Sequence, residues 1–211
     1  MMEKVSYILD LDGTLINSEP IWLESFVYAL GLRGITINSE DFLEFGFGCS
    51  WLEVFAEINK RWPGAYKTRF DMQKITEPYY SRVCQTRDIT MPGARPLLKR
   101  LGEAGYPMTI VSGSTRPQIA RAIRLLEAEK YITAFVGCED VQRGKPDPEG
   151  FLKGAALLGK KPEDCIVVED KEVGLQAAVN AGMRCVVLQL PQNPKQNLAD
   201  ASRIISSLDE F

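Results

Sequence analysis

The chain has 211 residues, 45% of them hydrophobic, with 25 Lys plus Arg against 28 Asp plus Glu and no histidine. That balance describes an ordinary globular protein and excludes a disordered one. A formal net charge of -3, with no long run of either sign, argues against a nucleic-acid binder held by phosphate contacts.

No apolar stretch approaches the roughly 20 residues of a membrane span. Asp10 and Asp12 interrupt the first 15 residues where a signal peptide would need its apolar core. A cytoplasmic protein with no membrane partner is therefore expected. The five cysteines (Cys49, Cys84, Cys138, Cys165, Cys185) are scattered without a C-x-x-C pair, which argues for reduced, mostly buried thiols. Without histidine, any histidine-dependent triad or histidine-ligated metal is excluded. Proton chemistry and metal ligation fall mainly to carboxylates.

In chain order, residues 5–11 are apolar and β-branched and meet Gly13, so they predict a strand ending at a turn. Residues 16–88 hold 13 of the 19 aromatics and no strand pattern, and predict a helical unit. Ser18 with Glu19 and Pro20 opens one helix, Ser39 a second, and Ser50 with Glu53 forms a capping box for a third. Residues 67–86 predict a fourth, disturbed at Pro78. The stripe Trp22, Phe26, Phe55, Trp62 and Phe70 is expected to be the core of that bundle.

The chain returns to its first pattern near Pro92 and Gly93. Helices are predicted over 94–104, 117–129, 148–158 and 171–181, and strands over 108–112, 165–168 and 184–188, with a short one around Ile204 and Ile205. These strands are continuous apolar runs, the mark of burial on both faces in a parallel sheet. The expected fold is α/β, a doubly wound parallel sheet of residues 1–15 and 89–211, with a helical bundle inserted over 16–88.

Four places put functional groups near strand ends, where an open α/β sheet holds its ligand. Asp10 and Asp12 share one face of an extended segment, and a hard cation such as Mg²⁺ between close carboxylates would neutralise Asp10 and let Asp12 donate a proton. Ser112, Gly113 and Ser114 offer a hydroxyl and backbone N–H groups before a helix, which suits a phosphate. Lys145, between prolines in G-K-P-D-P, can balance phosphoryl charge. Glu169 and Asp170 follow a strand and supply oxygen ligands. An Asp-Gly turn, a Ser-Gly-Ser loop or an exposed lysine is commonplace alone. All four in this order, each at a strand end, point to one site.

The strings D-L-D-G-T-L-I-N-S-E, V-S-G-S, R-G-K-P-D-P and V-V-E-D-K-E-V-G-L-Q-A-A-V-N-A-G-M resemble the motifs of the haloacid dehalogenase (HAD) superfamily, and the insert looks like its C1 cap. The resemblance implies Asp10 as phosphoryl-accepting nucleophile and Asp12 as general acid and base. Ser112 and Lys145 would hold the phosphoryl group with Gly113. Asp10, the Asp12 carbonyl and Asp170 would ligate Mg²⁺, with Glu169 a direct or indirect partner. It also implies Asn17, Glu19 and Trp22, with the Gly46–Ser50 loop and its Phe47, as substrate contacts, although Trp22 and Phe47 suit packing of the bundle better. Asn17 and Lys171 depart from the Asp and Ser of many relatives. Asp12 favours a phosphate ester over a halide. The expected activity is hydrolysis of a small phosphorylated metabolite, a sugar phosphate, by a monomer. A phosphosugar mutase resembling β-phosphoglucomutase and a non-catalytic binding protein are the alternatives.

Overall fold

The computed structural model describes residues 5–38, 41–42, 46, 51–191 and 193–211, with Trp51 described by its backbone alone. The expected helix start at Ser39, the Ser50 half of the capping box, Cys49, and positions 47–50 of the Gly46–Ser50 loop, Phe47 among them, lie outside these residues.

Strands β1 (Ser6–Leu9), β2 (Met108–Val111), β3 (Phe135–Val136), β4 (Cys165–Glu169), β5 (Arg184–Leu188) and β6 (Arg203–Ile205) form one sheet in the order β3-β2-β1-β4-β5-β6. Every pairing is parallel. All four residues of β1 and of β2 are buried, as strands covered on both faces must be. Arg203 and Ile204 are exposed on β6, where a charged edge discourages pairing with another chain. Strand β3 has only two residues, too few for an apolar run to show in the sequence.

Helices are numbered in chain order: α1 (Glu19–Gly31), α2 (Trp51–Arg61), α3 (Arg69–Val83), α4 (Ala94–Glu103), α5 (Arg116–Leu125), α6 (Glu149–Leu157) and α7 (Glu172–Asn180). The chain divides into two compact units, one of residues up to Asn17 with Thr90–Phe211, the other Ser18–Ile89.

In the sheet unit, Ile8, Val167 and Val187 from the strands pack with Phe151 of α6 and Leu175 and Ala178 of α7. Beyond β1 the chain turns sharply: Gly13 adopts φ +90°, and its N–H donates to the Ile16 carbonyl at 2.8 Å. Ile16 then makes an antiparallel bridge with Thr90, and Met91 N–H donates to the Leu15 carbonyl at 2.9 Å. The segment that leaves the sheet unit thus runs beside the one that rejoins it.

In the other unit, Phe26, Ala29, Leu30, Phe42, Val54, Ile58 and Met72 form the core, with Trp22, Phe55 and Trp62 packed against it. Phe26 stacks on Phe42 at 5.2 Å. Phe70, expected in this core, is instead 58% exposed, with the Arg69 guanidinium over its ring. Helix α3 buries Met72, Thr76, Tyr80 and Val83, and Phe70, two residues before Met72, falls about 200° round the helix from it. The helix also runs on through Pro78. Pro78 and Lys74 are both exposed, so the Lys74 carbonyl that loses its amide partner faces solvent.

Cys165 and Cys185 are buried, but Cys84 is only half-buried and Cys138 is exposed, because Cys138 lies in the turn after β3 rather than on a strand. Among the described residues no helix is long and apolar enough to cross a membrane.

Met72→Ala is expected to lower the stability of the insert by about 2–5 kcal/mol through the cavity it leaves. Phe70→Ala is expected to cost less than about 1 kcal/mol. Urea unfolding followed by circular dichroism measures both.

Candidate active site

The sheet positions the site by register. Leu9 of β1 pairs with Val168 of β4 and with Ile110 of β2, so Asp10 lies level with Glu169, and Ser112 and Asp170 follow one residue further along. The N–H of Asp10 donates to the Val168 carbonyl at 2.9 Å. Strands β1 and β4 sit where the connections diverge to either side, the place where doubly wound sheets open a crevice at their carboxyl ends. Asp10, Ser112, Glu169 and Asp170 are all buried.

Lys145 reaches this point from the loop before α6. Its Nζ donates to Asp10 Oδ1 at 2.5 Å and to Glu169 Oε1 at 2.6 Å, and lies 5.1 Å from the centre of the Phe151 ring. The loop is held in turn by Glu149, whose carboxylate accepts from the N–H groups of Gln142 and Arg143, each at 3.0 Å. Burial opposes the Lys145 charge, but Asp10 and Glu169 outweigh it and raise the ammonium above its ordinary range. Burial is also the main cause that pushes Asp10 up to about 7, against the pull of Lys145 and with help from Glu169. Asp170 is raised well above the usual carboxylate range by burial, then by Glu169 and Asp10.

Three buried carboxylates against one ammonium leave an excess of negative charge. Oxygen atoms of Asp10, Glu169 and Asp170 lie within 4.8 Å of one another. An all-oxygen, anionic set of this kind fits a hard divalent cation, which would favour the ionised carboxylates that burial disfavours. The donors differ in how far they are engaged already. Glu169 Oε1 accepts from Lys145, and Oε2 accepts from the N–H groups of Asp170 at 2.7 Å and Lys171 at 2.9 Å. Asp170 has a lighter tether, a 3.4 Å contact from Thr14 Oγ1. A Cβ on Gly13 would stand 2.1 Å from Asp170 Oδ2, so the chain can pass this carboxylate only where there is no side chain.

Asp12 is half-buried, and its side chain turns toward the loop after β2. Asp12 Oδ2 accepts from Ser114 Oγ at 2.7 Å and from Ser112 Oγ at 3.2 Å. The backbone N–H groups expected to await an anion before α5 are mostly engaged. Ser114 N–H donates to Ser112 Oγ, Thr115 N–H to Gln118 Oε1, and Arg116 N–H to the Glu139 carboxylate. Glu139 thus occupies the positive end of the helix that an anion would otherwise take. Gly113 is exposed, and its N–H makes no hydrogen bond among the described residues.

The structure therefore gathers Asp10, Asp12, Ser112, Lys145, Glu169 and Asp170. Asn17 ends its segment of the sheet unit as an exposed residue. Glu19 is half-buried in the first turn of α1, and Trp22 stacks on Tyr80 at 3.9 Å.

Ser114, expected only as part of a phosphate-holding loop, bonds Asp12. Two further supporting residues escaped the sequence reading. Gln196 donates to the Asp170 carbonyl at 2.8 Å and accepts from the Glu172 N–H at 2.8 Å. At Gly174 an added Cβ would collide with Glu169. A glycine inside a helical pattern signals a close approach, so Gly174 could have been found; a distant glutamine carries no such mark.

Residues 7–188 match the family described as Haloacid dehalogenase-like hydrolase. The chain is similar to Hexitol phosphatase A of Escherichia coli (strain K12), with 32% identity over 208 residues that span 97% of this chain and 92% of the relative. It is also similar to Validoxylamine A 7'-phosphate phosphatase of Streptomyces hygroscopicus subsp. limoneus, 30% identical over 209 residues, or 99% of this chain and 96% of that protein. Among solved structures, CbbY from Rhodobacter sphaeroides in complex with phosphate has a TM-score of 0.86 at 21% identity, covering 99% of this chain and 96% of that one. This last likeness is one of fold.

Lys145→Met leaves Asp10 and Glu169 buried without their cation, and is expected to cost about 3–5 kcal/mol of stability in metal-free buffer. Adding Asp10→Asn removes one of the stranded charges and should recover part of that loss. Urea unfolding of the two variants beside the parent protein checks both expectations.

Proposed function

We infer the activity from the premise that this chain belongs to the haloacid dehalogenase-like hydrolase family, with that family's α/β core and a cap. It is a phosphoric monoester hydrolase, and we propose that it acts on a small sugar phosphate through a phosphorylated Asp10. The observation that carries this reading is the contact of half-buried Lys145 with both Asp10 and Glu169, at 2.5 and 2.6 Å, beside Asp170. A carboxylate held in this way is a nucleophile whose charge is balanced without being removed.

In the first half-reaction an Asp10 carboxylate oxygen bonds to phosphorus as the bond from phosphorus to the ester oxygen breaks. Asp12 gives its proton to that departing oxygen, which leaves as an alcohol. In the second, water attacks the same phosphorus, Asp12 takes the proton back, and the bond to Asp10 breaks to release inorganic phosphate. Ser112 and Gly113 are proposed to hold the phosphoryl oxygens through the hydroxyl and the N–H, with Lys145 supplying positive charge.

Asp10 and Asp170, with the Asp12 carbonyl, would hold Mg²⁺. When bound, that ion supplies charge neutralisation to the phosphoryl oxygens. Glu169 is assigned the part of a brace, since both of its oxygens already accept hydrogen bonds and one of them holds Lys145. Asn17 and Glu19 are proposed to meet the substrate beyond its phosphoryl group, and Trp22, stacked on Tyr80, to fix the helix that carries Glu19. Likeness to a protein named Hexitol phosphatase A supports a polyhydroxylated alcohol as the leaving group.

Incubated with Mg²⁺ and a panel of hexose, pentose and hexitol phosphates, the protein should release inorganic phosphate, and EDTA should stop the release. Asp10→Asn should lower the rate by about 10⁴-fold or more with an unchanged circular dichroism spectrum. Release that persists in this variant would remove Asp10 from the role, and an isomerised sugar phosphate formed in place of free phosphate would show transfer to a sugar hydroxyl.

A further inference from the structure

We propose that Ser114 is a positioning residue for Asp12: its hydroxyl holds the carboxyl in place, and goes on holding it once Ser112 has turned to the phosphoryl group. The proposal deepens the reading of Asp12 as the acid and rests on it.

A serine hydroxyl has one proton to donate. Ser112 donates its proton to Asp12 Oδ2 at 3.2 Å, and it cannot give the same proton to a phosphoryl oxygen. A substrate held by Ser112 therefore takes that donor away from Asp12. Ser114 donates to the same oxygen at the shorter distance of 2.7 Å. With that proton committed to Asp12, the Ser114 hydroxyl has none to offer a phosphate.

Ser114 is itself well anchored. Its N–H donates to Ser112 Oγ at 2.9 Å, and its carbonyl accepts from the Cys138 N–H at 3.0 Å. The second contact brings in the turn after β3, where a Cβ on Gly137 would lie 3.1 Å from the Ser114 carbonyl oxygen. Both backbone polar groups are tied, so the hydroxyl projects from a fixed base. The aim of a general acid matters because it must come within hydrogen-bond reach of the departing oxygen as the bond to phosphorus breaks, and a displacement of about 1 Å can cost about 10²-fold in rate.

An acid held less well should be missed in proportion to how much the leaving oxygen needs a proton. Phenyl phosphate and 4-nitrophenyl phosphate have similar shapes, but the nitrophenolate leaves readily without protonation and the phenolate does not. Their kcat/KM reports the first phosphoryl transfer, to Asp10, for both.

Ser114→Ala is expected to lower kcat/KM for phenyl phosphate by about 10–100-fold and for 4-nitrophenyl phosphate by less than about 3-fold. The loss should fall in kcat, with KM and inhibition by inorganic phosphate unchanged. Ser114→Thr, which restores a hydroxyl, should recover most of it. Asp12→Asn is the reference and should show the same selective loss in stronger form. If Asp12→Asn depresses both substrates equally, the reading of Asp12 as the acid fails and takes this proposal with it. If Asp12→Asn is selective but Ser114→Ala is not, the proposal alone is overturned. A weakened inhibition by phosphate in Ser114→Ala, with equal losses on both substrates, would assign Ser114 to anion binding and likewise overturn it.

Discussion

The ammonium of Lys145, held between the buried carboxylates of Asp10 and Glu169, is the interaction around which this molecule is organised. Removing ions from water costs several kcal/mol for each, and the attraction between them offsets that only when the geometry is close and the remaining polar atoms are engaged. Both conditions are met here by elements distant in the sequence. Parallel register sets Asp10 level with Glu169. Glu149 ties the loop that carries Lys145, and the backbone after β4 satisfies the second oxygen of Glu169. One ammonium does not balance three carboxylates, and the remaining negative charge is what makes the place attractive to a hard cation.

The sheet topology explains why these groups meet. In the order β3-β2-β1-β4-β5-β6, the strands beside β1 are β2 and β4, so the loops after all three open at one end of the sheet. The loop after β1 carries the two aspartates, that after β2 the serines, while Glu169 ends β4 and Asp170 opens the loop after it. Small residues are needed where these loops crowd together. Gly13 passes the Asp170 carboxylate in a left-handed conformation that a side chain would strain, and Gly174 lets α7 start directly against Glu169.

Much of this was legible in the sequence because burial on both faces leaves a distinctive trace. The four long strands are continuous apolar runs, and each chemical group follows such a run or a nearby turn. What was not legible depended on contacts between distant segments. Strand β3 is defined by its pairing with β2 rather than by any pattern of its own. Phe70 looked like a core residue by composition, but the phase of α3, set by Met72, Thr76 and Tyr80, turns it outward. The amides before α5 looked available to an anion, yet Gln118 and Glu139 engage two of them, the latter from a turn that follows β3. The bond from Ser114 to Asp12 spans 102 residues, and no local spacing announces it.

The bridge between Ile16 and Thr90 carries a consequence for how such a protein can change over time. Because departure and return lie side by side, the sheet closes its own boundary there, whatever the intervening segment contains. The entropy of closing a flexible connection grows by only about 0.6 kcal/mol for each doubling of its length. Evolution can therefore lengthen, trim or exchange the intervening segment as a cassette, leaving the reactive carboxylates and their lysine untouched while a new specificity is tried.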